Sequence, residues 1–384
     1  MKKEYSLSKA LPVLFGFFIV GFVDLVGIAN SYVKKDFELS DTMANLLPMM
    51  VFLWFAVFAV PTGLLMNSIG RKKTVLLSML VTLIALIIPL VAYNFVGMLV
   101  AFSLIGIGNT ILQVSVNPLL SNVVSGDRLT SSLTLGQFIK AVAAFFGPII
   151  CIYAASGLGT WIYIFAVYAA ILLIAVLWLY LTKIEESPAK EKTSSFVGCF
   201  KLLKNKTILI LFLGIVFVVG IDVGLNTAIP KFLMERFGIP LEKAGLGSSL
   251  YFISRLTGTL AGAFLLLKIS GRKFMFVSIA IAIIAMLVFL LSSNLYLVLA
   301  LIFIIGLAVA NVFSILFSMA IQQNPNSANE VSGLMIMGIS GGAIILPIMG
   351  VVSDKFGQLG GLSILLFAML FLLFSTFSFS KNEQ

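Results

Sequence analysis

Four ionisable side chains stand where water is scarce. Asp24 interrupts the apolar run from Gly16 to Asn30, Lys140 follows Gly136 and Gln137 in another, and Asp222 and Arg255 fall inside two runs of the second half. An unpaired ion in hydrocarbon is costly, so an ionisable residue inside a membrane span marks a substrate or ion pathway by default. Two acids and two bases balance, which predicts pairing. Buried ion pairs are weak contributors to stability when compared with apolar replacements. Asp24, Lys140, Asp222 and Arg255 are therefore candidate cation-coupling groups, with static salt bridges between helices as the alternative.

Uncharged polar residues form rows. Asn109, Gln113 and Asn117 recur every four residues and share one helical face, and Asn311, Ser314 and Ser318 repeat the pattern later. Asn226 lies one turn from Asp222, and Gln137 lies three residues before Lys140. Amides and hydroxyls exchange hydrogen bonds with a polar solute at little desolvation cost. Asn109, Gln113, Asn117, Gln137, Lys140, Asn226, Asn311 and Ser314 are the candidate substrate contacts. The alternative is hydrogen bonding from helix to helix.

The elements that must carry these residues follow from composition. Of 384 residues 60% are hydrophobic and only 10% charged, against roughly a quarter charged in a soluble domain. The runs are long and unbroken rather than short and alternating, which selects membrane helices over a barrel. Twelve spans are predicted, at about 10–33, 43–67, 74–93, 95–123, 129–156, 158–182, 207–230, 244–268, 274–292, 295–322, 331–353 and 361–380. An even number returns the chain to its starting side. Lys and Arg concentrate in the segments on the side of the N-terminus, among them Arg71, Lys72, Lys73, Lys201, Lys204, Arg272 and Lys273. The other side holds Lys34, Lys35, Lys231, Arg236, Lys243 and Lys355. The positive-inside rule then puts both termini in the cytoplasm; the expected location is a bacterial cytoplasmic membrane. The net charge of +10 fits this topology and gives no case for nucleic acid. "MKKEYSLSK" before an apolar run has the look of a signal peptide, but the run is long and lacks a small-residue exit, so it reads as the first span.

"KIEESPAKEKTSSFVGCFKLLKNK" is the longest polar stretch and divides the chain. The expected organisation is a six-helix bundle at 1–182, a cytoplasmic linker at 183–206 with an interfacial helix in its second half, and a second bundle at 207–384. The halves echo each other. "VGFVD" ends at Asp24 and "VVGID" at Asp222; "SIGRKK" follows span 2 and "KISGRK" follows span 8. The offset is nearly constant at about 200 positions, the mark of a parallel internal repeat.

That repeat resembles the major facilitator superfamily of transporters. "GLLMNSIGRKK", Gly63 to Lys73, is similar to the superfamily's signature loop after span 2, with Gly63, Gly70, Arg71 and Lys72 as conformational residues. The usual form has Asp where this chain has Asn67, which weakens a charge-pair latch there. "QVSVNPLLSN" ending span 4 and "SGLMIMGISGGAIILPIMGVVSDKFG" in span 11 resemble the fucose/proton symporter family of sugar permeases, with weaker support from "GQFIK" and "FSMAI". The resemblance implies two pseudo-symmetric six-helix bundles, with spans 1, 4, 7 and 10 lining a central cavity. It pairs Asp24 with Lys140 and Asp222 with Arg255. It implies uptake of a hexose or deoxyhexose by proton symport. Gln113 stands where that family commonly has Glu, so it cannot carry a proton, and Asp24 is the acid left in the first half's spans. Pro118, Gly341, Gly342 and Pro347 interrupt spans 4 and 11, either as moving parts of alternating access or as fixed kinks.

An enzyme is not expected: there is no His, no Cys–His constellation and no phosphate-binding Gly loop with its Lys. Cys151 and Cys199 give no case for a disulfide or metal pair, and no cofactor is expected beyond a coupling ion, H+ or Na+. The expected partners are a sugar and the lipid bilayer, with the protein a monomer. Export of a small amphipathic molecule is the alternative function, together with sodium-coupled sugar symport.

Overall fold

Within hydrocarbon a chain must satisfy its own backbone, and a long apolar run does so as a helix. A computed structural model of the protein describes residues 7–39, 43, 46–124, 128–186, 196–239 and 241–378. They are helical almost throughout, with no strand among them. Twelve spans run in order. Span 1 covers 7–36 in three pieces, Leu7–Val20, a 3-10 turn Gly21–Asp24, and Leu25–Asp36. Spans 2 to 6 are Leu46–Ile69, Arg71–Val91, Phe95–Val123, Arg128–Gly157 and Tyr163–Leu181. Spans 7 to 9 are Lys206–Phe237, Leu241–Leu265 and Gly271–Leu291. Spans 10 to 12 are Leu295–Gln323, Pro325–Ser353 and Lys355–Phe377. Among the described residues ten helices are long and apolar enough to cross a membrane. Span 1 is cut by its 3-10 turn, and span 8 carries Glu242, Lys243 and Arg255.

The first half of the predicted linker, residues 187–195, lies outside the described residues. In its second half Phe196–Lys201 forms a short helix that runs into a 3-10 turn, Leu202–Lys204. Cys199 is buried there, and burial together with the Glu330 carboxylate pushes its thiol up to about 11.

Contacts divide the chain into two units. One comprises Met1–Leu129, Gly136–Phe200 and Asn324–Met337; the other comprises Thr130–Leu135, Lys201–Gln323 and Gly338–Gln384. Each repeat thus places one short stretch in the unit built by the other. The opening turns of span 5 belong with the second repeat, and the opening of span 11 belongs with the first.

Span 4 is the core of the first unit. It is buried without interruption from Gly108 to Leu120. Pro118 sits inside this helix and has no N–H to give the carbonyl of Val114. Ser332, from the opening of span 11, fills the gap: its hydroxyl donates to the Val114 carbonyl at 2.6 Å, and Ser332 is fully buried. The helix continues through the proline. Ser332→Ala is expected to leave that carbonyl without a donor in a dry interior and to destabilise the protein by about 1–3 kcal/mol. A lowered melting temperature of the purified variant checks this.

In the second unit two helices are broken near the middle of their spans. Span 10 breaks at Ala310–Asn311, between Leu295–Val309 and Val312–Gln323. Span 11 tightens to 3-10 at Gly338–Gly341 before Gly342 opens the helix that contains Pro347. Gly341 lies flush on span 7: a Cβ there would come within 2.6 Å of the Val216 carbonyl.

Candidate functional site

The 3-10 turn in span 1 shifts backbone bonding from four residues to three, and a neighbour supports it. Asn109 of span 4 donates Nδ2 to the carbonyl of Val20, the residue just before the turn, at 2.8 Å. Asn109 Oδ1 in turn accepts from Gln113 Nε2 at 2.6 Å, and Asn117 Nδ2 donates to the Gln113 carbonyl at 2.6 Å. The predicted row of amides is therefore a connected chain along span 4, buried at all three positions. One end of it holds the turn that carries Asp24.

Asp24 itself is exposed. Three residues earlier, Gly21 meets span 5 so closely that a Cβ would fall 2.6 Å from the Lys140 carbonyl and 2.7 Å from Ala143 Cβ. Asp24 and Lys140 thus sit on helices in direct contact, with Gln137 and Lys140 both half-buried. Tyr168 of span 6 stacks on Phe22, two residues before Asp24, with ring centroids 3.9 Å apart.

In the second unit Asp222 and Arg255 form an ion pair between Oδ2 and Nη1. The other carboxylate oxygen, Oδ1, accepts from the Tyr251 hydroxyl at 2.9 Å. Tyr251 is fully buried, whereas the Asp222 and Arg255 side chains are 31% and 26% exposed, so the pair remains within reach of water. Asn226, one turn on, is half-buried. Asn311 lies at the break in span 10 and donates Nδ2 to the Gly258 carbonyl of span 8 at 2.9 Å. Asn311 and Ser314 are both buried. Asn109 and Asn311, at corresponding places in the two repeats, both use their amide donors on a neighbouring helix.

A third cluster gathers around the loop after span 2. Gly70 takes φ 89°, a conformation L side chains rarely adopt, and opens span 3. Glu186, which follows span 6, accepts from the amides of Arg71 and Lys72 at 2.6 and 2.7 Å. A carboxylate against the first free N–H groups of a helix is favoured by the helix dipole. Lys72 Nζ donates to the carbonyls of Tyr180 and Thr182, both at 2.9 Å. The Arg71 guanidinium bridges span 4 and span 11, donating to the Pro118 carbonyl at 3.0 Å, to Asn122 Oδ1, and to Asn329 Oδ1 at 2.7 Å. Asn67 donates Nδ2 to Glu330 Oε1 and accepts from Asn329 Nδ2, each at 2.6 Å. Gly63 packs against the same stretch, where a Cβ would come 2.8 Å from the Asn329 carbonyl.

Asn67 therefore has a polar partner on each side. The acid of this cluster stands on span 11, as Glu330, rather than on span 2. Asn329 and Glu330 were outside the candidate residues because span 11 was expected to begin at 331. The helix begins earlier, at Ala328, after a 3-10 turn opened by Pro325. An acid just beyond that proline, in a chain whose signature loop lacks its usual Asp, was the available signal. Tyr251 carried none, since one aromatic among so many reads as lipid contact. Glu186 sits at the edge of a polar linker and reads there as solvated.

Known proteins share this architecture. The model of the Major Facilitator Superfamily matches residues 13–347. The glucose/galactose transporter of Brucella abortus biovar 1 (strain 9-941) is 25% identical over 377 residues, covering 93% of this chain and 90% of that protein. The putative glucose/galactose transporter of Helicobacter pylori (strain J99) is 25% identical over 400 residues, covering 96% of each. Among solved structures, the E. coli fucose:proton symporter FucP superposes with a TM-score of 0.87 at 17% identity, over 98% of this chain and 100% of that one. A repeat of six spans, twelve spans in all and a family match over most of its length make this protein a member of the major facilitator superfamily, a multi-pass membrane transporter rather than an enzyme.

Proposed function

We propose that the protein imports a hexose or deoxyhexose across the cytoplasmic membrane together with a proton, by alternating access. The observation that carries this reading is the link between Asn109 and the Val20 carbonyl. It joins a row of amides suited to sugar hydroxyls to the turn that holds an exposed carboxylate, Asp24. Occupancy of one is thereby felt by the other. Gln113 cannot ionise, so the proton falls to Asp24, with Lys140 on the adjoining helix. Relatives named as glucose/galactose transporters and a fold shared with a fucose:proton symporter support the substrate class and the coupling. The distribution of Lys and Arg supports cytoplasmic termini.

In the cycle, a proton from outside neutralises Asp24. Lys140 is released to bond a sugar hydroxyl or Gln137. Inward opening lets the sugar leave, and Asp24 gives up its proton to the cytoplasm and faces Lys140 again. Asn117, Gln137 and Asn226 supply the further sugar contacts.

Proteoliposomes test both parts. Counterflow of labelled sugar across a panel of hexoses and deoxyhexoses is expected to show exchange. Adding that sugar to energised vesicles is expected to make the outside more alkaline, with or without sodium. No exchange on the whole panel would remove the sugar; a flat external pH with uptake that needs sodium would remove the proton.

A further inference from the structure

Three buried oxygens in the second unit have no hydrogen-bonding partner among the described residues: Thr134 Oγ1, Asn311 Oδ1 and Ser314 Oγ. Their residues are at most 1% exposed. Buried polar atoms are almost always partnered, and each exception calls for an explanation, foremost an ordered water or an ion. A fourth such atom, Trp54 Nε1, is in the other unit.

The surrounding bonds put the three on neighbouring turns of packed helices. Thr130 and Ser318 share a hydroxyl–hydroxyl bond of 2.7 Å between spans 5 and 10. Ser131 donates to the Ala263 carbonyl of span 8, and Asn311 packs against Gly262, the residue beside it. Spans 5 and 10 cross the membrane in opposite directions. One turn forward from Thr130 is Thr134, and one turn back from Ser318 is Ser314, so the unpartnered hydroxyls are the next rung of the same ladder. Asn311 is three residues further on the same side of span 10.

We propose that Thr134, Ser314 and Asn311 together bind one buried water molecule that ties span 5 to span 10. The donors and acceptors balance. Water donates to Asn311 Oδ1, which can only accept, and to one hydroxyl; it accepts from the other hydroxyl. Three partners are what a buried water typically has. A dehydrated cation fits worse, because three neutral oxygens fall well short of the roughly six ligands hard cations take, and no carboxylate is among them. The water completes a polar column from Gln322, which is exposed and donates to Ser318 at 2.6 Å, through Thr130 and Ser318 to the break in span 10. It also takes Asn311 and Ser314 out of the sugar contacts and makes them part of the seam. The site does not depend on which solute is carried.

Melting of the purified full-length protein tests it. Thr134→Val keeps the side chain's shape and removes its hydroxyl; Ser314→Ala removes the other. Each is expected to lower the melting temperature by roughly 2–4 °C. The double variant should lose less than the sum, because either change already disrupts the shared water. A melting temperature raised or unchanged by Thr134→Val would mean that the hydroxyl was an orphan and the site does not exist. Losses that add would mean the two hydroxyls share nothing. If replacing sodium with choline lowers the melting temperature of the parent but not of the variants, the ligand is a cation and the proposal is overturned. Should the variants not fold, a high-resolution map of the parent decides: solvent density within about 3.2 Å of all three oxygens supports it, and its absence there refutes it.

Discussion

Asp24→Asn is expected to leave sugar counterflow intact and to abolish accumulation against a gradient. Asn is close to the neutral carboxyl in size and cannot release a proton, so it holds the protonated step of the proposed cycle. The turn should survive, because the Asn109 amide on the Val20 carbonyl still supports it. Exchange needs only the sugar-loaded carrier to reorient, whereas accumulation needs the carboxylate to return empty and charged. The ratio of inside to outside sugar in energised vesicles should therefore fall to about one, while counterflow stays within a few-fold of the parent. If the variant concentrates sugar as the parent does, Asp24 is structural. Asp222, held by Arg255 and Tyr251, would then be the next carboxylate to test.

The second large effect comes from restoring the superfamily's usual residue. Asn67→Asp is expected to be severely damaging here, although it brings the signature loop back to its common form. Asn67 Nδ2 donates to Glu330 Oε1 at 2.6 Å, and Glu330 is only 6% exposed. The substitution replaces that donor with a second carboxylate oxygen in a part-buried site. Losing a hydrogen bond to a charged group costs about 1.5–3 kcal/mol, and the facing charge adds to it. Two carboxylates so close cannot both stay ionised, so one must take up a proton. The loss of stability should accordingly ease as the pH falls. Adding Glu330→Gln to Asn67→Asp returns one acid and one amide in exchanged positions and should recover most of the loss. Melting temperatures of the parent, both single variants and the double variant close the cycle. A double variant no better than Asn67→Asp alone would show that Glu330 and residue 67 do not act on each other.

Much of this was legible because membrane rules are strict. Twelve apolar runs and the echo of "VGFVD" in "VVGID" are enough to give the spans, the repeat and the superfamily. The scarcity of charge in those runs singles out Asp222 and Arg255, which pair in the structure. What composition does not reveal is where a polar side chain sends its bonds. Asn109, Gln113 and Asn117 have the spacing of a substrate face, yet their amide donors go to Val20, Asn109 and Gln113. Spacing identifies a face; only packing shows what meets it. Ser332 lay within a stretch read as a family motif, but its task, serving a carbonyl freed by a proline 214 positions earlier, depends on a crossing no local pattern encodes. Asn329 and Glu330 were missed for a simpler reason. A boundary set three residues late turned buried partners into loop.

The placement of Asn324–Met337 in the first unit has a consequence for synthesis. A ribosome makes the chain from its N-terminus, and domains generally complete themselves in that order. The first unit cannot. Asn67 waits for Glu330, 263 positions away, Arg71 for Asn329, 258 away, and the Val114 carbonyl for Ser332, 218 away. Until span 11 emerges, the Asn67 amide, the Nε edge of the Arg71 guanidinium and an orphaned carbonyl lack these partners on six helices already in the bilayer. Contacts this remote in sequence are slow to form. The nascent first repeat is thus a species that must be tolerated for most of translation, and lipid headgroups, water or an insertase have to cover its polar side until the last quarter of the chain arrives.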